Sequence, residues 1–180
     1  MDASGDGGLP GVVEGMGGRA QSVAATLDTV RCADGSFLRP QASRETVWRN
    51  PEMLVVPDGQ SEGALECRLT LELATAIGFE ADLMVAIGQG VRLAGRAGLL
   101  HGYKVAAVRD ARAAIRRMGA HVVAGRVVED RNRITSTSAC DLLLARRVRS
   151  RLNGEQAWPP PDRQRLVSPA WVAYARAELL

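Results

Sequence analysis

The segment from Leu83 to Gly102 constrains the fold of this chain more than any other, because it reads as a strand, a tight turn and a helix start. Leu83 to Ile87 are all apolar, which is typical of a short strand that is buried on both faces. Gly88 and Gly90 permit a sharp turn into a helix that ends near Gly98. Nucleophile elbows share this layout, and there the turn lifts one reactive side chain above the sheet. Here the apex is Gly88, so no side chain is available for covalent chemistry at that position.

Strand and helix signals alternate along the rest of the chain. Met53 to Val56 is an apolar run of the kind found in central parallel strands. Residues 64–77 repeat apolar positions at mostly helical intervals, and Gly78 predicts the end of that helix. Further strands are predicted at 29–32, 37–38, 104–108, 122–123, 126–128 and around Ile134, and further helices at 90–97, 111–118 and 141–152. This alternation predicts a three-layer α/β domain with a mostly parallel sheet.

Composition indicates the domain organisation. Residues 1–20 are predicted to be a flexible tail, since the first 18 contain seven glycines and one proline. Residues 21–157 are predicted to form one globular domain, and residues 158–180 a proline-rich extension that wraps its surface. No run approaches about eighteen apolar residues, and the N-terminus lacks the pattern of a secretory signal. We therefore expect a soluble cytoplasmic protein with no membrane association.

The two halves of the chain carry opposite charge. Residues 1–90 contain 6 Arg, no Lys and 13 Asp plus Glu, a balance of −7, and residues 91–180 contain 17 Arg plus Lys and 7 Asp plus Glu, a balance of +10. Many basic residues fall at helical spacing without interleaved aromatic residues, as at Arg109, Arg112 and Arg116, which favours a solvated helix face over a specific nucleic-acid site. Opposite charges can also form ion pairs within the chain or head-to-tail contacts between subunits.

Cysteines and histidines are the remaining candidates for metal or thiol chemistry. Cys32, Cys67 and Cys140 are widely spaced without a C-x-x-C motif, and only His101 and His121 could accompany them. We therefore expect no disulfide framework, no metal site and no cofactor. Cys32 and Cys67 are interpreted as core residues, His101 as an exposed turn residue and His121 as the border of a strand. Cys140 is the best spare nucleophile, although a cysteine at a helix start is more often a small packed side chain.

Three motifs, LVVPDG, AGLLHG and RVVEDRNRIT, resemble in order and spacing the ThiJ/PfpI family of the class I glutamine amidotransferase-like superfamily. The resemblance covers about Val23 to Pro161 and implies a flavodoxin-like three-layer sandwich that is shortened at its N-terminus. Alignment on Ala97 to Gly102 places the family's cysteine at Gly88 and its threonine at Gln89. The family's histidine falls at Val108. Neither member of the family's catalytic pair is therefore expected in this chain.

Further departures from the family pattern surround the elbow. The family's V-V-P-G-G motif supplies a glycine N–H to an oxyanion, and this chain reads Asp58-Gly59 there. A carboxylate about 4 Å from a developing oxyanion opposes it by roughly 4 kcal/mol at an effective dielectric near 20, which is comparable to the contribution of one oxyanion donor. The family's first strand, with its acidic loop residue, has no counterpart here, and the loop 135–139 is short. Loss of a central strand would leave unpaired sheet edges, for which dimerisation is the simplest remedy.

These observations leave three hypotheses for function. The first is a non-catalytic ThiJ/PfpI-like protein, a pseudoenzyme, that binds a small polar ligand or another subunit and forms a homodimer. The second is a divergent hydrolase, lyase or hydratase with a replacement nucleophile such as Cys140. The third is a regulatory sensor, although the 28 residues after Leu152 are too few for the DNA-binding domain that such regulators carry. The candidate ligand cleft comprises Asp58, Gly59, Gly88, Gln89, Gly90 and Arg109.

Overall fold

The computed structural model describes residues 21–31, 37–47, 50–59, 62–138, 142–152 and 169–172. Its strands are β1 (Gln21–Val23), β2 (Val30–Arg31), β3 (Phe37–Leu38), β4 (Met53–Val56), β5 (Leu83–Ile87), β6 (Lys104–Val105), β7 (His121–Val122), β8 (Val127–Asp130), β9 (Arg133–Ser136) and β10 (Pro169–Val172). Its helices are α1 (Glu62–Glu66), α2 (Arg68–Glu80), α3 (Gly90–Arg96), α4 (Arg112–Arg117) and α5 (Leu142–Leu152).

Six strands form the main sheet in the order β1-β10-β4-β5-β9-β8. All neighbouring pairs are parallel except β8 and β9, which are antiparallel. Two small sheets, β2 with β3 and β6 with β7, accompany it. The register places Val56 beside Ala86, so the loops that follow β4 and β5 lie together at the carboxyl edge of the sheet. The predicted α/β architecture with a mostly parallel sheet is confirmed.

Helices cover both faces of the sheet, which explains why its central strands are apolar throughout. In β4, Leu54 and Val56 belong to a buried cluster that includes apolar residues of α2 and α3. Met53 and Val55 belong to a second cluster that contains Leu144 and Val148 of α5. Because successive strand residues point to opposite faces, a strand covered on both sides buries every side chain, as β4 and β5 do. The predicted strands at Met53 to Val56 and Leu83 to Ile87 are confirmed.

The helix predicted at 64–77 differs from the structure at both ends. It is divided into α1 and α2 at Cys67, and α2 continues through Gly78 to Glu80. A Cβ on Gly78 would overlap the side chain of Leu99. This glycine is therefore required for close packing of α2 and does not end the helix.

The strand predicted at 104–108 is also shorter than expected. Only Lys104–Val105 is a strand, and it pairs with β7 rather than joining the main sheet. Directly after this strand, the amide of Ala106 donates to Thr135 Oγ1 in β9 at 2.8 Å, so a side chain and not a strand backbone accepts it. Conversely, β9 extends to Ser136 and takes up part of the loop predicted at 135–139.

Strand β10 corrects the prediction that residues 158–180 wrap the surface. Pro169–Val172 lie between β1 and β4 and pair with both in parallel register. The prolines do not exclude a strand here, because a proline is tolerated at the first residue of a strand, which is the position of Pro169. The predicted tail at 1–20 and the rest of the extension lie outside the described residues.

The chain itself covers sheet edges that were expected to require a partner. Strand β4 is paired on both sides, by β10 and β5. On the far side of β1, the amide of Ala42 donates to Ser22 O at 3.1 Å, and the amide of Ala24 donates to Ala42 O at 3.2 Å. Strand β4 therefore needs no second subunit to complete its pairing, and the homodimer stays a prediction. None of the described helices is long and apolar enough to cross a membrane.

Candidate functional site

The elbow forms at the carboxyl edge of the sheet, as the sequence predicts. Strand β5 ends at Ile87, Gly88 adopts φ +53° and α3 begins at Gly90. The amide of Gly88 donates to the carbonyl of Ser136 in β9 at 2.8 Å, which fixes the turn against the neighbouring strand. Positive φ favours glycine, so the backbone at the apex disfavours any side chain.

The side chain of Asp58 lies directly over the elbow apex. A Cβ built on Gly88 would overlap the Asp58 carboxyl group, with its carbon and both oxygens as the nearest atoms. A side chain at position 88 and the present position of the Asp58 carboxylate therefore exclude each other. The space that a reactive side chain occupies in a nucleophile elbow is filled here from the neighbouring loop.

Two backbone amides hold this carboxylate. Asp58 Oδ1 accepts hydrogen bonds from the amide of Gln89 at 2.8 Å and from the amide of Gly59 at 2.8 Å. The amide after the apex is the usual oxyanion donor of an elbow, and here it is Gln89. We expected Asp58 to oppose an oxyanion from nearby, whereas the structure shows its carboxylate bonded to the donor itself. Backbone donors to an ionised carboxylate form strong hydrogen bonds, so this arrangement ties the β4 and β5 loops together.

Gly90 is required for a different reason. A Cβ at this position would overlap the carbonyl oxygens of Val56 and Pro57. Only glycine therefore allows α3 to begin this close to the end of β4. The Gly-x-Gly pattern of the sequence thus combines one position with a positive φ and one with a close backbone approach.

The structure joins only part of the predicted ligand cleft. Asp58, Gly59, Gly88 and Gln89 are in direct contact, as described above. Val108 packs half-buried against the hydrophobic core. Arg109 is exposed, and no described residue forms a hydrogen bond or ion pair with its side chain. Instead, Arg92 of α3 brings a positive charge to this edge, because its Nη1 lies 3.4 Å from Gln89 Oε1.

Cys67 corrects the interpretation of that residue as part of the core. It is a half-buried free cysteine at the N-cap of α2. The hydrogen bond from the Thr70 side chain lowers the pKa of the Cys67 thiol, and the backbone amides of Thr70 and Leu69 lower it further against the opposing effect of burial. The sequence predicts one continuous helix at 64–77, and a helix N-cap at Cys67 is therefore not predicted. Cys32 and Cys140 lie outside the described residues.

The histidines and acids form no metal site in the described part of the chain, where no group of three or more His, Cys, Asp or Glu side chains could hold an ion. His101 is exposed in the turn after α3, as predicted. His121 is the exposed first residue of β7.

A buried guanidinium at the opposite, amino edge of the sheet was not predicted. Arg133 is only 5% exposed and begins β9. It donates to the carbonyls of Leu99 at 3.2 Å and Gly78 at 3.3 Å, and its guanidinium carbon lies 5.3 Å from the centre of the Tyr103 ring. Burial lowers the pKa of the Arg133 guanidinium, the charge interaction with Tyr103 partly opposes this effect, and the positive charge of Arg131 adds to it. A lone arginine in a strand has no local sequence pattern that would reveal this role.

Comparisons with known proteins agree with this fold. The chain is similar to a ThiJ/PfpI family protein from Pseudomonas syringae, with 28% identity and a TM-score of 0.68 over 85% of this chain and 70% of that one. A two-domain protein from Anabaena variabilis with DJ-1/ThiJ/PfpI-like and ferritin-like domains gives 18% identity and a TM-score of 0.71, over 85% of this chain and 46% of that one. A ThiJ/PfpI domain protein from Brachyspira murdochii gives 18% identity and a TM-score of 0.68, over 81% and 86%.

Sequence comparison gives the same assignment. A search of curated protein sequences gives no significant match. Residues 10–146 match the DJ-1/PfpI family, which is most of the chain. The chain therefore belongs to the DJ-1/PfpI family.

Proposed function

We propose that this DJ-1/PfpI family protein does no cysteine chemistry at its elbow and acts by binding a small polar ligand or another subunit. The observation that supports this proposal is the Asp58 carboxylate over Gly88, bonded to the Gln89 amide. Covalent catalysis at an elbow needs a nucleophile at the apex and an unoccupied donor for the oxyanion. With Gly88 and Asp58 in these positions, the elbow offers neither.

The same geometry restricts the ligand that this edge would accept. Asp58 Oδ1 accepts both amides, and no described residue donates a hydrogen bond to Oδ2. An anionic ligand about 4 Å from this carboxylate would meet a repulsion of roughly 4 kcal/mol at an effective dielectric near 20. A neutral or cationic polar group meets no such barrier and finds an acceptor in Oδ2. The ligand class that fits is therefore a small neutral or positively charged polar molecule.

Amide NMR spectra of the protein titrated with sodium acetate test whether the elbow donors are occupied. In the wild-type protein we expect no shift of the Gln89 and Gly59 amides, because Asp58 already bonds to both. In Asp58→Gly, acetate should shift the Gln89 amide, since the donor is then available to an added carboxylate. Asp110→Gly, at an exposed position, is the control. An equal acetate response in the wild-type protein and Asp58→Gly would contradict the proposal.

A divergent hydrolase, lyase or hydratase is a second proposal, and Cys67 joins Cys140 as a candidate nucleophile for it. The Cys67 thiol is half-buried at a helix N-terminus, and its pKa is lowered by Thr70. These are the surroundings of a reactive cysteine. A hydrolytic activity that is lost in either Cys67→Ser or Cys140→Ser would favour this second proposal over the first, and the variant that loses it would identify the nucleophile.

A further inference from the structure

A groove with an apolar floor lies between residues 43–47 and the outer flank of α2. Its cavity of about 340 Å³ is lined by Arg44, Glu45, Val47, Leu73, Ala76, Ile77 and Glu80. Val47, Leu73 and Ile77 are buried, and they form the floor. None of the lining residues belongs to the elbow. The groove is therefore a separate candidate binding surface.

Exposed apolar residues continue this surface along α2. Leu69 is 53% exposed and Phe79 is 67% exposed, although both are large hydrophobic side chains. Leu69 precedes Ala76 by seven residues, which places the two on the same flank of the helix. Single exposed hydrophobic residues are ordinary, but a cavity with apolar residues beside it is typical of an interaction surface.

The ion pairs among the described residues do not change the charge imbalance between the two halves of the chain. Arg44 pairs with Glu72 in the acidic half, at 3.0 Å. Arg147 pairs with Glu129 in the basic half, also at 3.0 Å, and Arg151 contacts the same carboxylate. A pair within one half removes one charge of each sign, so the balances of −7 and +10 are unchanged. At the groove, Glu45 forms no ion pair with any described residue, and it supplies an acidic group at the rim.

Helix α5 presents the complementary surface on the opposite face of the sheet. Leu143 is 48% exposed, and Arg146 and Arg149 follow on the exposed side of the helix. Positions three residues apart are neighbours on a helix surface, so these side chains form one stripe. Neither arginine forms an ion pair with a residue that the structure describes. The stripe combines an apolar side chain with positive charge, which matches the apolar lining of the groove and the acidic Glu45 and Glu80 beside the Arg44–Glu72 pair.

We infer that the groove binds α5 of a second copy of this chain, with Leu143 against the half-buried Ala76 that lines the groove and Arg146 facing Glu45. Amphipathic helices commonly bind in this way to apolar grooves. The groove and α5 lie on opposite faces of the sheet, since α2 and α5 contribute to different core clusters. Such a contact is head-to-tail, so each pair of copies still has one unoccupied groove and one unoccupied α5. Further copies can therefore bind to the pair. This inference goes beyond the proposed function, because it uses a surface outside the elbow.

Sedimentation velocity of the full chain and two charge-reversal variants tests the inference. The wild-type protein should form a concentration-dependent series of species. Glu45→Arg and Arg146→Glu should each weaken self-association by about tenfold or more, because each places like charges in the contact. An equal mixture of the two variants should associate again, since Arg at position 45 of one chain then faces Glu at position 146 of the other. Asp110→Arg and Arg116→Glu, both at exposed positions, are the controls and should associate like the wild-type protein.

Other outcomes would overturn the inference. These are a wild-type protein that stays monomeric, a closed dimer that does not grow with concentration, or variants that associate like the wild type. If the wild-type protein is monomeric and hexylamine shifts the amide resonances of Val47 and Ala76, a small amphipathic cation occupies the groove instead. Loss of association in both variants without recovery in the mixture would also contradict the pairing. The acetate titration reads only the Gln89 and Gly59 amides, so failure of this inference is distinguishable from failure of the proposed function.

Discussion

The two edges of the main sheet each hold a charged side chain with backbone groups rather than with a counter-ion. At the carboxyl edge, backbone amides at the start of α3 and in the β4 loop donate to the Asp58 carboxylate. At the amino edge, carbonyls near the end of α2 and after α3 accept from the Arg133 guanidinium. The negative Asp58 therefore lies at a helix N-terminus and the positive Arg133 near a helix C-terminus. Both positions are favourable, because the helix dipole is positive at the N-terminus and negative at the C-terminus.

Exposure distinguishes the two arrangements. Asp58 is exposed, so water can replace the amides that it bonds to. Arg133 is 5% exposed, so its carbonyl acceptors have no alternative partner. We therefore expect Arg133 to matter mainly for stability, and Asp58 mainly for what the elbow can bind.

The largest effect is expected for Arg133→Met, which keeps much of the side-chain volume but removes the donors to Leu99 and Gly78. Unsatisfied buried carbonyls should lower the free energy of unfolding by about 4 kcal/mol, measured by urea denaturation. Arg131→Met is the matched control, because Arg131 lies over the same Tyr103 ring but its side chain is 51% exposed. Equal losses in the two variants would break the comparison by showing that burial is not the cause.

Gly88→Cys should have the next largest effect. The substitution strains a backbone with φ +53° and overlaps the Asp58 carboxyl group, so we expect a loss of about 3 kcal/mol of unfolding free energy. In the double variant with Asp58→Gly, about 1 kcal/mol should return because the overlap is removed. Strictly additive losses in the double-mutant cycle would show that the two positions do not compete for the same space.

Asp58→Ala should cost only about 1 kcal/mol, since two hydrogen bonds at an exposed position are replaced by water. Hydrogen exchange of the Gln89 amide should nevertheless become faster, because its acceptor is lost. Asp58→Asn keeps an oxygen acceptor at Oδ1 and should show a smaller change in both measurements. A loss for Asp58→Ala as large as that for Arg133→Met would remove the distinction between the two edges.

The smallest effect is kinetic and concerns Cys67. Because its pKa is lowered, a larger fraction is thiolate at neutral pH, and iodoacetamide should label it a few times faster than a free thiol. Thr70→Val removes the hydroxyl hydrogen bond, so the midpoint of the labelling profile should move to higher pH, whereas Thr70→Ser should keep it. Rates are measured in a Cys32→Ser, Cys140→Ser background. No difference between Thr70→Val and Thr70→Ser would exclude the hydroxyl as the cause.

Sequence patterns predicted those parts of the fold that depend on local periodicity. Strands β4 and β5 were predicted from uninterrupted apolar runs, and the elbow from Gly88 and Gly90. Packing between distant segments was not predictable in this way. Gly78 resembled a helix stop, although Leu99 packs against it, and the prolines before β10 concealed a strand that pairs with β1.

The candidate site shows the same division. The sequence indicated that Asp58 departs from the family pattern and that Gly88 has no side chain. The Asp58 carboxylate fills the space over Gly88 because the loops after β4 and β5 meet there in three dimensions. The spacing of these residues in the sequence does not predict this contact. Arg133 was missed for the same reason, since its carbonyl partners come from two other segments.

Strand β10 has a consequence for the order in which this sheet can form during synthesis. Strands β4, β5 and β9 emerge from the ribosome in sequence and can pair with one another at once. Strand β1 emerges before them, but its partner in the sheet is β10, which is translated long afterwards. Pairing between strands so far apart in sequence is slow, and β1 exposes an unpaired edge until β10 has been synthesised. Among the described strands, β1 is therefore the first to be synthesised and one of the last to complete its pairing.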